Sequence, residues 1–595
     1  MTRRPFIFHL VLCVMSCSAG VWAQTSTSGA QAAPNAKPGT TLQLGSPGAT
    51  SASAARSGNP GDERAMLLEA DRLMAMGKAA EAQVKYQQVA NLNPGSVPAQ
   101  VGVIRTLILQ QKLDEAQSNA DTALALHPDS PELLLVTGDL QFAQGRIPDA
   151  ERSYIKAENL KPDNPMAYIG LAHVYRAYSL YRRAYDNMKR AHELAPNDLP
   201  VQLLWFNSLP RVDRIPAVQL YLSNPGLNPQ TGKVLQQYLA FLKKNAEAPV
   251  HSCNVVSKTR TTDTKLYPIA RSGSELGASG MVVKINNQEM HLALDTGASG
   301  VVLGRTTAEK LGLQRIGYQP ILGMGDSGEQ GGYLAVVDRI KVGDLEFSDC
   351  TVRVTEAANP VTGQDGLIGA DVFSSYLVDI DIPGAKLRLS PLPQRPNQTA
   401  APEALQTGAR DSEELQTEGP ANSATRKPGA EEVLSIPQDA YVAPEMANWG
   451  KVYKFRSMLL VPTKVDNVGP MLFLIDTGSY SNVLSTVTAQ ELTKLRSDPN
   501  TRITGLSGSI SKVYRADKAT LDFPCVANGC KYSQANQDVV TFDLAGMSRH
   551  AGTRISGILG FSMIRILETK IDYRDGLVDF TYDPKRLPKQ IRLNN

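Results

Sequence analysis

Residues 291–300 read HLALDTGASG, and residues 472–481 read LFLIDTGSYS. Each stretch is an apolar strand pattern that leads into an acidic turn, where Thr and Gly reverse the chain. Such a strand buries its apolar side chains and presents one carboxylate at its end. The two copies align without a gap, because Val301-Val302-Leu303 and Asn482-Val483-Leu484 follow the two Asp residues at the same offsets.

A second apolar motif follows each copy. Gly366-Leu367-Ile368-Gly369 follows the first, and Gly557-Ile558-Leu559-Gly560 follows the second. Each precedes a hairpin pattern, in which apolar and polar residues alternate around a Gly-containing turn. A single Asp-Thr-Gly is an ordinary turn sequence. The repetition of both motifs is therefore what predicts two matched β-rich lobes.

The paired motifs resemble those of aspartic peptidases of the retropepsin type, and the bacterial periplasmic relatives in particular. The resemblance covers about residues 275–395 and 450–585. It implies that Asp295 and Asp476 meet at a shared floor and form a catalytic pair. It also implies supporting roles near that pair for Thr296 and Thr477 as braces of the lobe contact, Gly297 and Gly478 as room for the turn, and Ser299 and Ser479 as hydrogen-bonding groups.

Each lobe in that family carries a glycine-rich flap over the cleft. The matching candidates are Gly323 and Gly325 in the first lobe and Gly505 and Gly508 in the second. The chain departs from the viral members after the second motif, where they usually carry a basic residue. It has Ala370-Asp371 in one lobe and Phe561-Ser562 in the other, so the resemblance does not carry over the lobe-closing contact made by that basic residue.

An Asp pair predicts peptide hydrolysis by an activated water, because two close carboxyls share one proton. The mechanism needs no cofactor and no metal. Both Asp residues lie in one chain, and we expect them to pair intramolecularly. Three alternatives remain: two Asp residues that only cap turns, a peptide-binding module that does not cut, and a scaffold in which a helical region is the working part.

That helical region shows a fixed period of 34 residues. Pro94, Pro128, Pro162 and Pro196 recur at this spacing, as do Ala82, Ala116, Ala150 and Ala184. The period resembles that of tetratricopeptide repeats, which stack into a solenoid and present a concave surface. The repeats are therefore expected to recruit a protein substrate or a partner.

The N-terminus predicts export. Residues 1–23 combine two Arg residues, an apolar core and Val21-Trp22-Ala23, which is typical of a secretory signal peptide. Bacterial periplasm is the expected location, and an anchor lipidated at Cys17 is the alternative. Residues 24–60 and 396–440 are poor in large apolar residues and predict a spacer and a flexible linker.

Charge and cysteine content limit the function classes further. Lys and Arg number 61 against 58 Asp and Glu, for a net charge of +3, and no basic run suggests a nucleic-acid partner. Cys525 and Cys530 flank a turn and predict a local disulfide, whereas the pairing of Cys253 and Cys350 stays open.

The 595 residues are thus predicted to form a multidomain chain, an α-solenoid of helix-turn-helix repeats followed by two all-β acid-protease-like lobes. The predicted boundaries are 1–23 for the signal peptide, 24–60 for the spacer, 61–248 for the repeats, 270–395 for the first lobe, 396–440 for the linker and 445–590 for the second lobe.

Overall fold

A computed structural model of the chain describes residues 60–209, 211–225, 227, 229–246, 251, 253–272, 275–357, 361, 363–396, 438–524 and 531–586. The predicted signal peptide, Cys17, the predicted Cys525–Cys530 disulfide and almost all of the predicted spacer and linker lie outside these residues. The chain divides into two compact units, Met1–Leu140 and Gln141–Asn595. Among the described residues, no helix combines the length and apolar character needed to cross a membrane.

Helix pairs form the N-terminal part of the described chain and β-strands dominate from residue 254 onward, which confirms the predicted fold class. The helices are Pro60–Ala75, Ala79–Leu92, Val97–Leu109, Leu113–Leu126, Pro131–Ala143, Ile147–Leu160, Pro165–Ala177, Tyr181–Leu194, Leu199–Ser208, Arg211–Leu222 and Pro229–Ala246.

The turn inside each repeat needs a left-handed residue. Gly77 and Gly145 occupy this position with φ of 76° and 79°, and Gln111 and Ser179 occupy it with φ of 60° and 59°. Glycine adopts such angles freely, whereas other L-residues are destabilised there by roughly 1–2 kcal/mol. The repeat geometry is therefore kept even where the glycine is replaced.

The first lobe begins before the predicted residue 270. Its strands are β1 (Asn254–Val255), β2 (Thr262–Ser272), β3 (Glu275–Ile285), β4 (Gln288–Asp295), β5 (Val301–Leu303), β6 (Arg315–Tyr318), β7 (Gly332–Val342), β8 (Leu345–Thr355), β9 (Gly366–Gly369), β10 (Tyr376–Asp381) and β11 (Lys386–Pro391).

The second lobe repeats this arrangement. Its strands are β12 (Gly450–Lys451), β13 (Tyr453–Phe455), β14 (Met458–Val465), β15 (Val468–Asp476), β16 (Val483–Ser485), β17 (Leu495–Ser497), β18 (Ile503–Gly505), β19 (Gly508–Ile510), β20 (Tyr514–Pro524), β21 (Lys531–Phe542), β22 (Gly557–Gly560), β23 (Leu567–Asp572) and β24 (Leu577–Tyr582).

Short helices complete both lobes. In the first lobe they are Arg305–Lys310 and the 3₁₀ turn Ala370–Phe373. The second lobe and its edges contain Pro444–Met446, Thr486–Leu492, Ala545–Ala551, Phe561–Ile564 and Pro584–Arg586.

The two lobes share one strand topology. In the first, β4 pairs in parallel with β9, β5 pairs antiparallel with β9, and β5 pairs in parallel with β8. In the second, β15 pairs in parallel with β22, β16 pairs antiparallel with β22, and β16 pairs in parallel with β21. The repeated motifs of the sequence thus occupy equivalent strands.

The lobes join through their closing hairpins. Strand β10 pairs antiparallel with β23, with Val378 opposite Ile571 and Asp379 opposite Lys570. Apolar side chains of both lobes also form one continuous core, which includes the fully buried Tyr376 and Phe473. Burying a large apolar side chain contributes about 1.5–3 kcal/mol, so lobe pairing and lobe folding stabilise each other.

A cluster of ion pairs lies where β10, β11 and β23 pair in this joining sheet. The Asp381 side chain is only 1% exposed and accepts hydrogen bonds from Arg388 and Arg586. Arg586 also donates to Glu568 of the second lobe at 2.7 Å. Burial alone would raise the pKa of Asp381, but the Arg586 hydrogen bond, the Gly384 N–H and both arginine charges together lower it.

Asp381→Asn should therefore destabilise the chain at neutral pH by about 2 kcal/mol, a value reduced because both arginines are more than a third exposed. The folded-state pKa is lowered, so this contribution is present above about pH 4, the unfolded value of Asp, and is lost as pH falls through the folded pKa. Denaturant unfolding at pH 7 and pH 3 would measure it. Asp263→Asn, an exposed partner of Arg388, is the matched control, and an equal effect of both changes would contradict this account.

The repeats from residue 141 onward pack on the second lobe. The backbone oxygens of Phe142 and Ala143 accept hydrogen bonds from the Thr553 hydroxyl at 2.7 Å and the Arg554 N–H at 2.8 Å. The Phe142 ring contacts Phe455 edge-on at 5.8 Å between centroids. The repeat that contains Phe142 therefore packs directly against the second lobe.

The next repeat makes an equivalent contact through its own turn. The Ser179 backbone oxygen accepts from the Ala440 N–H at 3.0 Å, and the Arg183 N–H donates to Asp439 at 3.1 Å. Asp439 and Ala440 belong to the predicted linker 396–440, so the C-terminal end of that segment pairs with the Ser179 turn and the following helix.

The two ends of the predicted linker lie beside each other. Arg395, which directly precedes the predicted linker, donates to the buried carboxylate of Asp575. The Tyr441 N–H, just after it, donates to the same carboxylate oxygen at 3.0 Å. One acidic turn in the second lobe therefore fixes both points between which the linker runs.

The first lobe carries a disulfide between Cys253 and Cys350, which are 97 residues apart. It ties the segment before β1 to β8, and both cysteines are buried. The sequence left this pairing open.

Candidate active site

The carboxyl ends of β4 and β15 place Asp295 and Asp476 close to each other. On β4, Leu292 and Leu294 face the core, so the alternation of a strand turns Ala293 and Asp295 to the other face. Asp295 lies opposite Gly369 in the β4–β9 ladder, and Asp476 lies opposite Gly560 in the β15–β22 ladder. Both predicted carboxylates thus occupy the same position of the repeated fold.

Backbone N–H groups of the turns point at the carboxylates. Oδ1 of Asp295 accepts from Gly297 at 2.8 Å and from Ala298 at 3.2 Å. Oδ1 of Asp476 accepts from Gly478 at 2.8 Å and from Ser479 at 2.9 Å. Each carboxylate is therefore held by its own Asp-Thr-Gly turn in a fixed orientation.

The two Thr residues link the turns across the lobe boundary. The Thr296 hydroxyl donates to the Ile475 oxygen and accepts from the Thr477 N–H, at 2.9 and 3.0 Å. The Thr477 hydroxyl makes the reciprocal pair of bonds, to the Leu294 oxygen and from the Thr296 N–H. Both side chains are buried, so four hydrogen bonds without competing water fix the separation of the two turns.

Glycine is required at 297 and 478 by close approach. A Cβ at Gly297 would lie 2.6 Å from the carboxyl carbon of Asp476, and a Cβ at Gly478 would lie 2.6 Å from that of Asp295. Each glycine therefore faces the carboxylate of the opposite lobe.

Electrostatics favour one shared proton. Burial raises the pKa of Asp295, although hydrogen bonds from Asp476 and from backbone N–H groups oppose this. Burial and the charge of Asp295 raise the pKa of Asp476 well above its usual range. Two like charges this close cannot both be ionised at such a site, so the pair shares one proton.

The hydroxyls of the two predicted serines bond to groups other than Asp295 and Asp476. The Ser299 hydroxyl donates to Asp371 at 2.6 Å, and the Gly300 N–H donates to the same carboxylate at 2.9 Å. The Ser479 hydroxyl donates to the Ser481 oxygen at 3.1 Å. Ser299 thus braces the Asp295 turn through Asp371.

The second lobe braces its turn with an amide. Asn482 Oδ1 accepts from the Gly560 N–H at 2.9 Å, and its Nδ2 donates to Gln534 and Asn536. An acid in one lobe and a neutral amide in the other therefore support otherwise equivalent turns. Sequence reasoning missed both roles, although the mismatch between Asp371 and Ser562 was visible as a departure.

Tyr573 is buried and interacts electrostatically with Asp371 and Asp295. Burial, followed by the charges of Asp371 and Asp295, raises the pKa of Tyr573 well above its usual range. Its position directly after β23 gives no sequence signal of this interaction, because hairpin aromatics ordinarily fill the core.

The four predicted flap glycines lie in two loops that contact each other. Gly505 and Gly508 end the strands of the β18–β19 hairpin. Gly323 and Gly325 lie between β6 and β7, in a loop closed by the Ile321–Gln330 bridge. The Gly323 N–H donates to the Ser507 hydroxyl at 2.9 Å, so the loop tips of the two lobes meet.

Two family models match parts of the chain. A model described as aspartyl protease matches residues 281–372, which include Asp295 and Asp371. A tetratricopeptide repeat model matches residues 73–140 and 107–174. The chain therefore contains an aspartyl protease domain at 281–372 and tetratricopeptide repeats at 73–174, and both predicted resemblances are confirmed at that level.

Individual proteins are similar to parts of the chain. The mRNA 3'-end-processing protein RNA14 of Yarrowia lipolytica is 26% identical over 151 residues, 25% of this chain and 16% of that protein. The match thus spans about a sixth of that curated relative. PilF of Pseudomonas aeruginosa is 18% identical, with a TM-score of 0.24, over 31% of this chain and 86% of that structure. A thermophilic TPR protein of Thermus thermophilus is 17% identical, with a TM-score of 0.27, over 31% of this chain and 99% of that structure.

Proposed function

We propose that the chain is an exported aspartic endopeptidase that hydrolyses peptide bonds with a water activated by Asp295 and Asp476. The observation that carries the proposal is the pair itself. Two carboxyls, each in close approach to the glycine of the opposite turn, lie at the ends of equivalent strands in one chain. A turn-capping role would not require the two turns to be joined by reciprocal threonine bonds at a buried site.

The shared proton divides the work between the carboxyls. The ionised member takes a proton from water as the water oxygen attacks the carbonyl carbon of the peptide. The protonated member donates a hydrogen bond to the carbonyl oxygen, which gains negative charge. When the C–N bond breaks, a proton passes to the leaving nitrogen and the pair again holds one proton. The buried threonine bonds keep both groups in position throughout.

Incubation of the full chain with a mixed peptide library from pH 3 to pH 8 tests the proposal. Mass spectrometry should find new peptide termini, and cleavage should fall as pH rises far enough to remove the shared proton. Peptide binding without cleavage at any pH would instead support the non-catalytic binding module.

Export is supported by the N-terminal pattern and by the Cys253–Cys350 disulfide, because such bonds persist in oxidising compartments such as the bacterial periplasm. Lipid attachment at Cys17 is the alternative means of retention. Mass spectrometry of the mature N-terminal peptide would distinguish cleavage after Ala23 from processing at Cys17.

The repeats are proposed to recruit a protein substrate or a partner. Each repeat is stabilised mainly by its neighbours, so deleting residues 60–126 should leave cleavage of short peptides unchanged. The same deletion should weaken selection of a protein substrate, because it removes part of the recruiting surface. Deleting residues 60–198 should lower the melting temperature as well, because it uncovers Phe455 and Tyr453, which lie against Phe142 and Tyr178.

Thermal unfolding and peptide turnover of both deletion variants would measure these effects. Equal stability of the two variants would contradict the packing argument. Unchanged turnover of the natural protein substrate by the shorter deletion would contradict a recruiting role for its repeats.

A further inference from the structure

An apolar patch lies on the cleft face of the first lobe. Ala293 on β4 stands opposite Leu367 on β9, which stands opposite Val302 on β5. These three side chains and Ile321 form a buried cluster. The patch adjoins the catalytic turn, because Ala298 packs against it and donates its N–H to Asp295.

A side chain of the other lobe covers this patch. Leu506, between β18 and β19, packs against the cluster, and the other described members, Ile269 and Val361 among them, belong to the first lobe. Gly323 allows the contact, because a Cβ there would lie 2.5 Å from the Leu506 Cβ. The second lobe thus reaches across the cleft with one aliphatic side chain.

Hydrogen bonds around Ser507 hold Leu506 in place. The Ser507 hydroxyl accepts from the Gly323 N–H, its N–H donates to the Met324 oxygen, and its oxygen accepts from the Ser327 N–H, each at 2.9 Å. Ser507 is fully buried. A fourth bond runs from the Ser511 N–H to Asp326 at 2.6 Å. We call these four bonds the tip contact.

We propose that the resting chain occupies its own cleft: Leu506 fills a subsite for an aliphatic side chain beside Asp295, and the tip contact keeps it there until a peptide displaces it. This rests on the proposed function, since the displacing ligand is a peptide substrate. The occupied subsite makes peptide binding a competition between two aliphatic side chains for one patch. If the tip contact instead only closes the cleft around a bound peptide, truncating Leu506 should weaken peptide binding.

Binding tests on the full chain separate these cases. The probes are a synthetic octapeptide with two central leucines and a matched octapeptide with two central glutamates. Both are titrated calorimetrically into Asp295→Asn, with and without Leu506→Ala. Self-occupancy predicts about tenfold tighter binding of the leucine peptide when Leu506 is truncated, and no gain for the glutamate peptide. Leu322→Ala, an exposed leucine on the opposing loop, is the matched control.

The proposed subsite would be refuted if Leu506→Ala left binding of the leucine peptide unchanged or weakened it. It would also be refuted if the leucine peptide bound to Asp295→Asn neither with nor without Leu506→Ala. Binding that follows the expected order without any cleavage by the wild-type chain would count against the peptidase and leave the subsite standing.

Hydrogen exchange tests the tip contact without any peptide. Ser507→Ala should speed exchange in the segment that contains Gly323 about fivefold, because one hydrogen bond is lost. Ser509→Ala should leave it unchanged, since the Ser509 hydroxyl bonds only within its own hairpin, to Thr504, among the described contacts. Equal exchange in the wild type and Ser507→Ala would overturn the proposed holding role.

Discussion

Asp295→Asn and Asp476→Asn are each expected to lower peptide cleavage by at least about a thousandfold. An amide neither takes the proton from water nor returns it to the leaving nitrogen, so either change removes the pair as a unit. Both variants should fold. Removing one buried carboxyl should leave the melting temperature at pH 7 unchanged or slightly higher, because the native site raises the pKa of both groups. Turnover of a library-derived peptide and thermal unfolding measure the two effects.

Mixing the two variants tests whether the pair forms within one chain. Pairing within a chain leaves every site with one Asn, so the mixture should stay inactive at all concentrations. Recovery of cleavage that grows with protein concentration would show that lobes pair between chains, and full activity of either single variant would refute the two-lobe mechanism.

Gly297→Ala and Gly478→Ala are expected to lower cleavage by at least about a hundredfold. A new methyl group 2.6 Å from the opposite carboxyl carbon must displace that carboxylate or its turn, and a displacement near 1 Å in a catalytic group costs about this much. The two carboxyls should also lose part of their interaction, so the pH profile of the residual activity should narrow. Steady-state rates from pH 3 to pH 8 would measure both effects.

Gly317→Ala is the matched control, because nothing lies within 4 Å of a Cβ at that position. It should behave as the wild type in both rate and stability. Activity of Gly297→Ala close to that of Gly317→Ala would mean that the carboxylates stand further apart during turnover than in the structure.

The sequence was sufficient to predict the fold class because its signals are local and repeated. The period of 34 residues predicts the helix pairs, and the duplicated Asp-Thr-Gly and apolar-Gly motifs predict the two strands that meet at each carboxylate. The family models confirm the repeats and the protease domain of the first lobe. Whether Asp295 and Asp476 catalyse hydrolysis stays a prediction.

Features that depend on distant partners could not be predicted in this way. Asp371 and Asn482 brace equivalent turns with different chemistry, so no internal repeat reveals them. A cysteine count does not define the Cys253–Cys350 pair across 97 residues. The contact between Ser179 and Ala440 joins segments with no shared pattern. In each case the three-dimensional fold selects the partner.

Carrying both carboxylates on one chain has a consequence for how a substrate is oriented. A cleft between two identical chains is symmetric, so a peptide meets the same groups whichever way its N-terminus points. Here Asp371 stands behind one turn and Asn482 behind the other, and Leu506 reaches across from one side only. A peptide bound at the proposed site would therefore meet different surfaces in its two directions, and each half is free to diverge by mutation while the other is unchanged.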